Sequence, residues 1–326
     1  MSATDWRTCM DPAVDILAIT GPIYLAIALG YASTRWGWFS PQDMQVLGRF
    51  TLNIALPALL LSALARRNID ETLNPQYLAA YALATLAMVL AGLLWARLAG
   101  KHPLALCSVL AMGMSCPNSA FVGYPLIALT LGSSVAGMAL ALNMVVENLL
   151  IIPLLLAVAG SEGASGDWRP VLRQALTGLF KNPIILGIAA GFLFSWSGLK
   201  IPEALGRGVD LFAGASAALS LFVIGGSLVG LQVQGVRAAI AAIAVGKLIL
   251  HPLLMAAVLM WIVPVDDPAL RTAALLTAAL PMMGIYTLLA HRLGQGPLGA
   301  AAQLLTTVLS FASLSALLWL LSVLGL

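Results

Sequence analysis

The chain has 326 residues, of which 61% are hydrophobic and 9% charged, with a formal net charge of +3 and a mean hydropathy of +0.98. Soluble domains carry roughly 25% charged residues, so lipid must be the solvent for this much apolar surface, and an ordinary soluble fold is excluded. No Lys/Arg run tracks phosphates, which argues against nucleic acid as a partner. Cys9, Cys107 and Cys116 make no CxxC or Cys/His spacing, so no disulfide framework, metal site or cofactor is implied.

A membrane span needs about 20 apolar residues. Such runs fall at 13–33, 43–65, 76–99, 104–131, 135–159, 173–196, 208–231, 238–262, 271–292 and 298–325. The fold class expected is therefore an all-α membrane protein of about ten transmembrane helices. Asp5, Arg7 and Asp11 precede the first run and no A-x-A pattern follows it, so that run is expected to be a retained span rather than a cleaved signal. The longest polar stretch, Ser161 to Arg169, divides the chain near its middle.

That midpoint separates two similar segments. Gly21–Pro41 and Asn182–Pro202 match without gaps at about eight of 21 positions, including Pro22/Pro183, Gly30/Gly191, Gly37/Gly198 and Pro41/Pro202. The expectation is two five-span repeats, 1–160 and 161–326, forming one integral membrane unit. An odd number of spans sends the second repeat in from the opposite side, the inverted arrangement of many secondary transporters. Orientation follows Lys and Arg. One side collects Arg35, Arg49, Arg97, Lys101, Arg169, Arg173, Lys181, Arg237 and Arg292; the other has Arg7, Arg66, Arg67, Lys200, Arg207 and Arg271. Nine against six leads to the expectation of a multi-pass inner (plasma) membrane protein with both termini extracytoplasmic.

Spans four and nine hold equivalent places in the repeats, and each carries a mid-span proline: Pro117 in SCPNSAFVGYPL and Pro281 in AALPMMGIYTLLAHRLG. Proline removes a backbone donor and clashes with the preceding turn, and in a bilayer such a break survives only where the backbone lines a cavity or packs in protein. Proline also suits the first position of a helix. Pro117 and Pro281 are thus each expected to begin a second half-helix, whose unpaired N–H groups would attract a carboxylate without a buried Lys or Arg. Asn118 either hydrogen-bonds such a carboxylate or caps its helix. Cys116 reads as a small packing residue.

Ionisable groups mark the other apolar spans. Asn143 and Glu147 share a helix face, with Asn148 beside them. Glu147 either carries a coupling proton or makes a structural pairing, since intramembrane carboxylates are functional candidates by default. Lys247 and His251 share a face of span eight; Lys247 reads as structural or snorkelling, and His251 as a candidate for a proton path. Asp210 is expected near an interface, and His291 and Arg292 at the aqueous boundary. Gly187/Gly191 and Gly226/Gly230 are expected to allow close helix packing.

Four motifs in order carry a resemblance. They are YLAIALGYASTRWGWFSPQDMQVLGRF followed by Pro57; Pro117-Asn118-Ser119 leading to Gly123-Tyr124-Pro125-Leu126; Lys181-Asn182-Pro183; and Ala278-Ala279-Leu280-Pro281 with Gly284. The chain resembles the auxin efflux carrier family, which includes the plant PIN-FORMED carriers and bacterial malonate-type carriers, within the superfamily that holds the bile acid sodium symporters. The resemblance implies ten helices with two crossed, proline-broken ones, a scaffold part and a transport part, anion binding near the crossing, and an elevator motion. It makes Pro117 and Pro281 the crossover prolines and Asn118 a substrate contact. Three departures stand out. The long loop of the plant carriers is reduced to Ser161–Arg169, the usual span-seven proline is replaced by Ala217-Ala218-Leu219, and the charged residues some plant members place in span three are missing between Gln76 and Trp95.

The function expected is secondary transport of a small mono- or dicarboxylate. The candidate binding set is Pro117, Asn118, Ser119, Pro281 and Gly284, and the proton or ion coupling candidates are Glu147, Asn143, Asn148 and His251. Partners are the organic anion, the lipid bilayer and a second copy in a homodimer. The alternatives are a sodium-coupled symporter, for which Asn143, Glu147 and Asn148 supply oxygens, and a membrane anion sensor. An intramembrane enzyme would need HExxH or paired catalytic groups at matching depth, and neither is present.

Overall fold

A computed structural model of the chain describes residues 12–66, 74–161, 173, 177–178, 180–199, 201–230 and 237–324, with side chains from residue 20 onward. The described residues form helices α1 (Pro12–Arg35), α2 (Pro41–Ala65), α3 (Pro75–Ala99), α4 (Leu104–Ser115), α5 (Ser119–Leu131), α6 (Ser133–Gly160), α7 (Pro183–Ser197), α8 (Glu203–Ser227), α9 (Arg237–Trp261), α10 (Pro268–Ala278), α11 (Tyr286–Arg292) and α12 (Gly296–Leu324). Six of them (α2, α3, α6, α8, α9 and α12) are long and apolar enough to cross a membrane. The expected span at 173–196 is seen as a helix only from Pro183. Asp5, Arg7, Cys9, Asp11, Arg67, Lys200 and the Glu162–Arg169 part of the central stretch lie outside the described residues.

Local chemistry sets the helix starts. Ser40 caps α2 in a capping box with Asp43, Asn74 caps α3, Asn182 caps α7 and Asp267 caps α10, each followed directly by a proline at the first helical position. Gly37 and Gly198, matched in the two segments, both take positive φ (80° and 65°) just beyond the ends of α1 and α7, the left-handed step that ends helices. The neighbouring matched prolines, Pro41 and Pro202, both open the next helix.

Four helices hold a π-helical turn immediately before or around a proline: Thr51–Ala55 with Pro57, Ser119–Gly123 with Pro125, Glu147–Ile151 with Pro153, and Gly246–Leu250 with Pro252. A proline ring collides with the carbonyl four residues earlier. Those residues are Asn53, Phe121, Leu149 and Leu248, and each lies inside its π turn. The wider turn relieves the collision, so these helices continue past proline. Helix α8, which has Ala217-Ala218-Leu219 in place of the family's proline, runs from Glu203 to Ser227 with no such turn.

Helix α2 packs extensively on both α7 and α8, and α1 packs along α8. Two of these interfaces, α1 with α8 and α7 with α2, bring backbones close together. Glycine sets both. A Cβ on Gly30 would sit 2.0 Å from the Phe222 carbonyl oxygen, and one on Gly225 would sit 1.9 Å from that of Ile27. On the other interface a Cβ on Gly187 would meet the Pro57 oxygen at 2.7 Å, and one on Gly191 the Leu64 Cβ at 2.8 Å. The expected Gly187/Gly191 contact is therefore present, but Gly226/Gly230 divides. Gly226 packs on Met44, whereas Gly230 has open space and a φ of +81°, so it belongs to a turn, and the close backbone approach falls to Gly225 instead. The most buried helix is α4, enclosed from Cys107 to Ser115, with α5 enclosed as far as Ile127. Around it, Leu, Ile and Val side chains face outward on the bilayer-facing helices, and exposed Trp36, Trp38, Trp196 and Trp261 sit at helix ends, the position of interfacial aromatic belts.

Gly225→Ala is expected to lower the unfolding midpoint in detergent by the equivalent of about 1–3 kcal/mol, the usual cost of overpacking. Gly214→Ala, in the same helix with nothing within 4 Å, should leave it unchanged or raise it. Equal responses from the two variants would refute the α1–α8 backbone contact.

Candidate functional site: two helix breaks and a buried polar network

Helix α4 stops at Ser115, and Cys116 turns to an extended conformation with φ −85° and ψ 109°. Helix α10 stops at Ala278, and regular helix resumes only at Tyr286. The two non-helical stretches pair with each other. The Asn118 N–H donates to the Pro281 carbonyl at 2.8 Å and the Met283 N–H donates to the Cys116 carbonyl at 3.0 Å, forming an antiparallel bridge centred on Pro117 and Met282. Both are buried, as is Pro281. Each break thus supplies the partners that the other's backbone needs where water is excluded.

This pairing corrects two expectations. Neither proline is the first residue of a half-helix: the chain re-enters helix at Ser119, two residues beyond Pro117, and at Tyr286, five beyond Pro281. The physical reason is that the intervening backbone is held extended by the cross-break hydrogen bonds. Helix α11 is only seven residues long, and Gly284 is exposed with open space around it, so the two half-helices are not equivalent.

Asn118 is buried and serves as N-cap of α5. Its Oδ1 accepts from the Phe121 N–H at 3.2 Å, and its carbonyl accepts from Val122 and Gly123. No protein group among the described residues engages its Nδ2 hydrogens. The two roles weighed for Asn118 are compatible, because capping uses the oxygen and leaves the amide donor free. The N–H groups of Ser119 and Ala120 precede the first intrahelical bond and have no partner within the helix.

Ser119 ties this cap to Glu147. The carboxylate Oε1 accepts from the Ser119 hydroxyl at 2.7 Å and from the Tyr81 hydroxyl at 2.7 Å, with Glu147 only 2% exposed. One turn earlier on α6, Asn143 Oδ1 accepts from the Tyr77 hydroxyl at 2.9 Å, and its Nδ2 donates to Thr277 Oγ1 at 3.3 Å, next to the end of α10. Tyr77, Tyr81 and Thr85 form one face of α3 at four-residue spacing. Thr85 Oγ1 lies 3.4 Å from His251 Nε2, so this face also reaches α9. Asn148 does not join. It is half-buried and its amide donates back to the Met144 carbonyl at 2.9 Å.

Lys247 is fully buried, so the snorkelling role is excluded. Its ammonium donates to the Ala278 carbonyl at 2.8 Å, the last residue of α10, and lies 2.9 Å from His251 Nδ1. The π turn at Gly246–Leu250 aims Lys247 inward. A buried cation therefore stands at the second break, where only helix dipoles were expected. Sequence reading also missed Tyr77, Tyr81, Thr85 and Thr277. The signal was available: Tyr77 and Tyr81 are spaced like Asn143 and Glu147, and polar residues at four-residue intervals in an apolar helix mark a buried polar stripe. Asp210, two turns into α8, is half-buried, accepting from Ser62 at 2.7 Å and paired with Arg66, and His291 and Arg292 are exposed.

Two cavities lie away from the breaks. One of about 420 Å³ is lined by Trp95, His102, Leu106 and Gln295; one of about 590 Å³ surrounds Arg66, Arg207 and Asp210.

Comparison with known proteins gives a family and several relatives. The family model described as "Membrane transport protein" matches residues 19–320. The chain belongs to this family. It is 28% identical over 313 residues, 94% of this chain and 96% of the other, to a Rhizobium meliloti (strain 1021) protein named "Putative malonate transporter". It is 28% identical to "Uncharacterized transporter YfdV" of Escherichia coli (strain K12), across 71% of this chain and 74% of that one. Arabidopsis thaliana "Auxin efflux carrier component 2" is 31% identical over 114 residues, 35% of this chain and 18% of the plant protein. The resemblance to auxin efflux carriers thus holds, and the protein is a membrane transporter for a small molecule rather than an enzyme.

Tyr81→Phe deletes one of the two hydroxyl donors to Glu147 and is expected to cost about 1–3 kcal/mol of stability, the penalty for an under-satisfied buried polar group. In a Glu147→Gln background the loss should shrink, because interacting residues are non-additive. A double-mutant cycle of unfolding in detergent measures this, and perfect additivity would show that the hydroxyl and the carboxylate do not interact.

Proposed function

We propose that the protein is a secondary transporter of small mono- and dicarboxylates, working by elevator-type alternating access, and that its substrate sits at the two breaks. The observation that carries this reading is the Pro117–Met282 backbone bridge, which brings Asn118, Ser119 and Pro281 into one buried spot. There the free Asn118 amide and the uncommitted N–H groups of Ser119 and Ala120 offer a carboxylate neutral donors in a low-dielectric setting. Similarity to a protein named for malonate transport points to the same substrate class.

The architecture proposed is ten spans in two inverted repeats, 1–160 and 161–326, with α4–α5 and α10–α11 as the crossed broken spans. Reciprocal packing supports it. Span one (α1) lies on span seven (α8), and span six (α7) lies on span two (α2), as exchange of the repeats requires. The glycine-locked α1, α2, α7 and α8 form the scaffold, and the remaining helices, joined by the buried network, form the moving part. Glu147 is the residue proposed for proton coupling, with Asn143 and His251 beside it in the network. Sodium coupling is disfavoured, since Asn148 turns back to its own helix. The protein resides in the inner membrane with both termini outside, as a homodimer.

The test is thermal unfolding of the purified protein against acetate, malonate, succinate and indole-3-acetate. A ligand at 100 times its Kd stabilises by about 2.7 kcal/mol, so at least one carboxylate should raise the Tm of wild type. Asn118→Ala should abolish that rise, and the same anion should be taken up by proteoliposomes. A neutral solute that shifts the Tm where no carboxylate does would overturn the reading.

A further inference from the structure

From the position of Lys247 we infer a built-in countercharge: its ammonium occupies the place a coupling cation would take at the second break, so that carboxylate binding needs no sodium. The inference rests on the carboxylate reading above. Its basis is geometric. The C-terminal end of α10 carries the negative end of a helix dipole; the Leu275, Leu276 and Thr277 carbonyls accept from the Ala279 and Leu280 N–H groups, and the Ala278 carbonyl is the one left to a side chain. Such unwound carbonyls and helix ends are where transporters coordinate sodium. In this chain the Ala278 carbonyl is instead taken by Lys247 Nζ at 2.8 Å.

The neighbouring groups hold the charge in place. His251 Nδ1, 2.9 Å from Nζ, accepts from the ammonium, which leaves Nε2–H facing Thr85 Oγ1 of α3. The titratable groups nearest Lys247 from other elements are Cys116, in the first break, and Glu147 on α6. Glu147 makes its hydrogen bonds to Tyr81 and Ser119 and no direct ion pair with Lys247. The ion pairs among the described residues are Arg66–Asp210 and Arg207–Glu203, both exposed. No carboxylate among the described residues makes a direct ion pair with Lys247. Buried charges are sustained only when paired and hydrogen-bonded, and an anion seated at the breaks would complete the pairing.

The experiment measures the Tm rise given by malonate, and by the other carboxylates of the panel, in sodium, potassium and choline buffers, for wild type, Lys247→Ala and Lys247→Gln. Wild type should respond equally in all three buffers. Both variants should need about tenfold or more malonate for the same rise, and in Lys247→Ala sodium or added methylammonium should restore part of the response, since either can fill the vacated cation position. A role in packing alone would not produce rescue selective for a cation. A wild-type response that requires sodium overturns the inference even if neither variant folds. So does an unchanged malonate response in Lys247→Gln, or a loss in Lys247→Ala that no cation repairs. If no carboxylate shifts wild type in any buffer, the carboxylate reading itself fails and takes this one with it, an outcome distinct from the others.

Discussion

Two backbone hydrogen bonds, Asn118 N–H to the Pro281 carbonyl and Met283 N–H to the Cys116 carbonyl, make the rest of this structure possible. A helix interrupted inside a bilayer exposes peptide groups that lipid cannot satisfy, at a cost of several kcal/mol for each. One broken helix alone would have to be repaired by side chains or water. Two broken helices that meet can repair each other, and the extended Cys116–Asn118 and Pro281–Met283 stretches do so. The helix ends that remain, those of α5 and α10, are then left for other partners: Asn118 at the one, Lys247 at the other.

Proline shapes this membrane protein in two distinct ways. At Pro117 and Pro281 the helix is lost, because the neighbouring break offers the backbone an alternative set of partners. At Pro57, Pro125, Pro153 and Pro252 it survives as a π turn, because no such alternative is at hand and one wider turn absorbs the steric clash. Those turns also carry side chains that matter. Ser119, Glu147 and Lys247 each occupy the first or second position of a π turn and each points into the buried network. Where an α-helix would keep a strict four-residue face, the extra residue re-aims the side chain at little cost to the rest of the helix.

The polar network and the glycine interfaces divide the molecule by the kind of contact that holds it. Helices α3, α6, α9 and α10 are linked by directional bonds, Tyr77 to Asn143, Tyr81 to Glu147, Asn143 to Thr277 and Lys247 to Ala278. Helices α1 and α8 are joined by backbone approach at Gly30 and Gly225, and α2 and α7 at Gly187 and Gly191. Directional bonds in a low-dielectric interior resist rearrangement, and small-residue interfaces in lipid rely on close van der Waals contact. Under the elevator reading proposed above, the first set moves with the substrate against the second.

The amino-acid sequence by itself determined the solvent, the helical class and the location of both breaks. All of these are written in local chemistry: apolar composition and run length, and prolines where no loop can be. The exact helix starts, at the caps Ser40, Asn74, Asn182 and Asp267, came from the structure. The sequence also picked out Glu147, Asn143 and His251, because a polar group in an apolar run stands out without knowledge of its neighbours. Only the tertiary structure decided what those groups touch. The pairing of the breaks joins Asn118 to Pro281 and Cys116 to Met283, residues from opposite halves of the chain. Tyr77 and Tyr81 find Asn143 and Glu147 at a separation of 66, and Lys247 reaches from α9 to the end of α10. Sequence left Lys247 between snorkelling and a structural role, since a long side chain in a span can point toward water or toward protein. Its fate depended on the π turn that Pro252 imposes and on the Ala278 carbonyl at the end of α10, and the second of these has no signature in the residues around position 247.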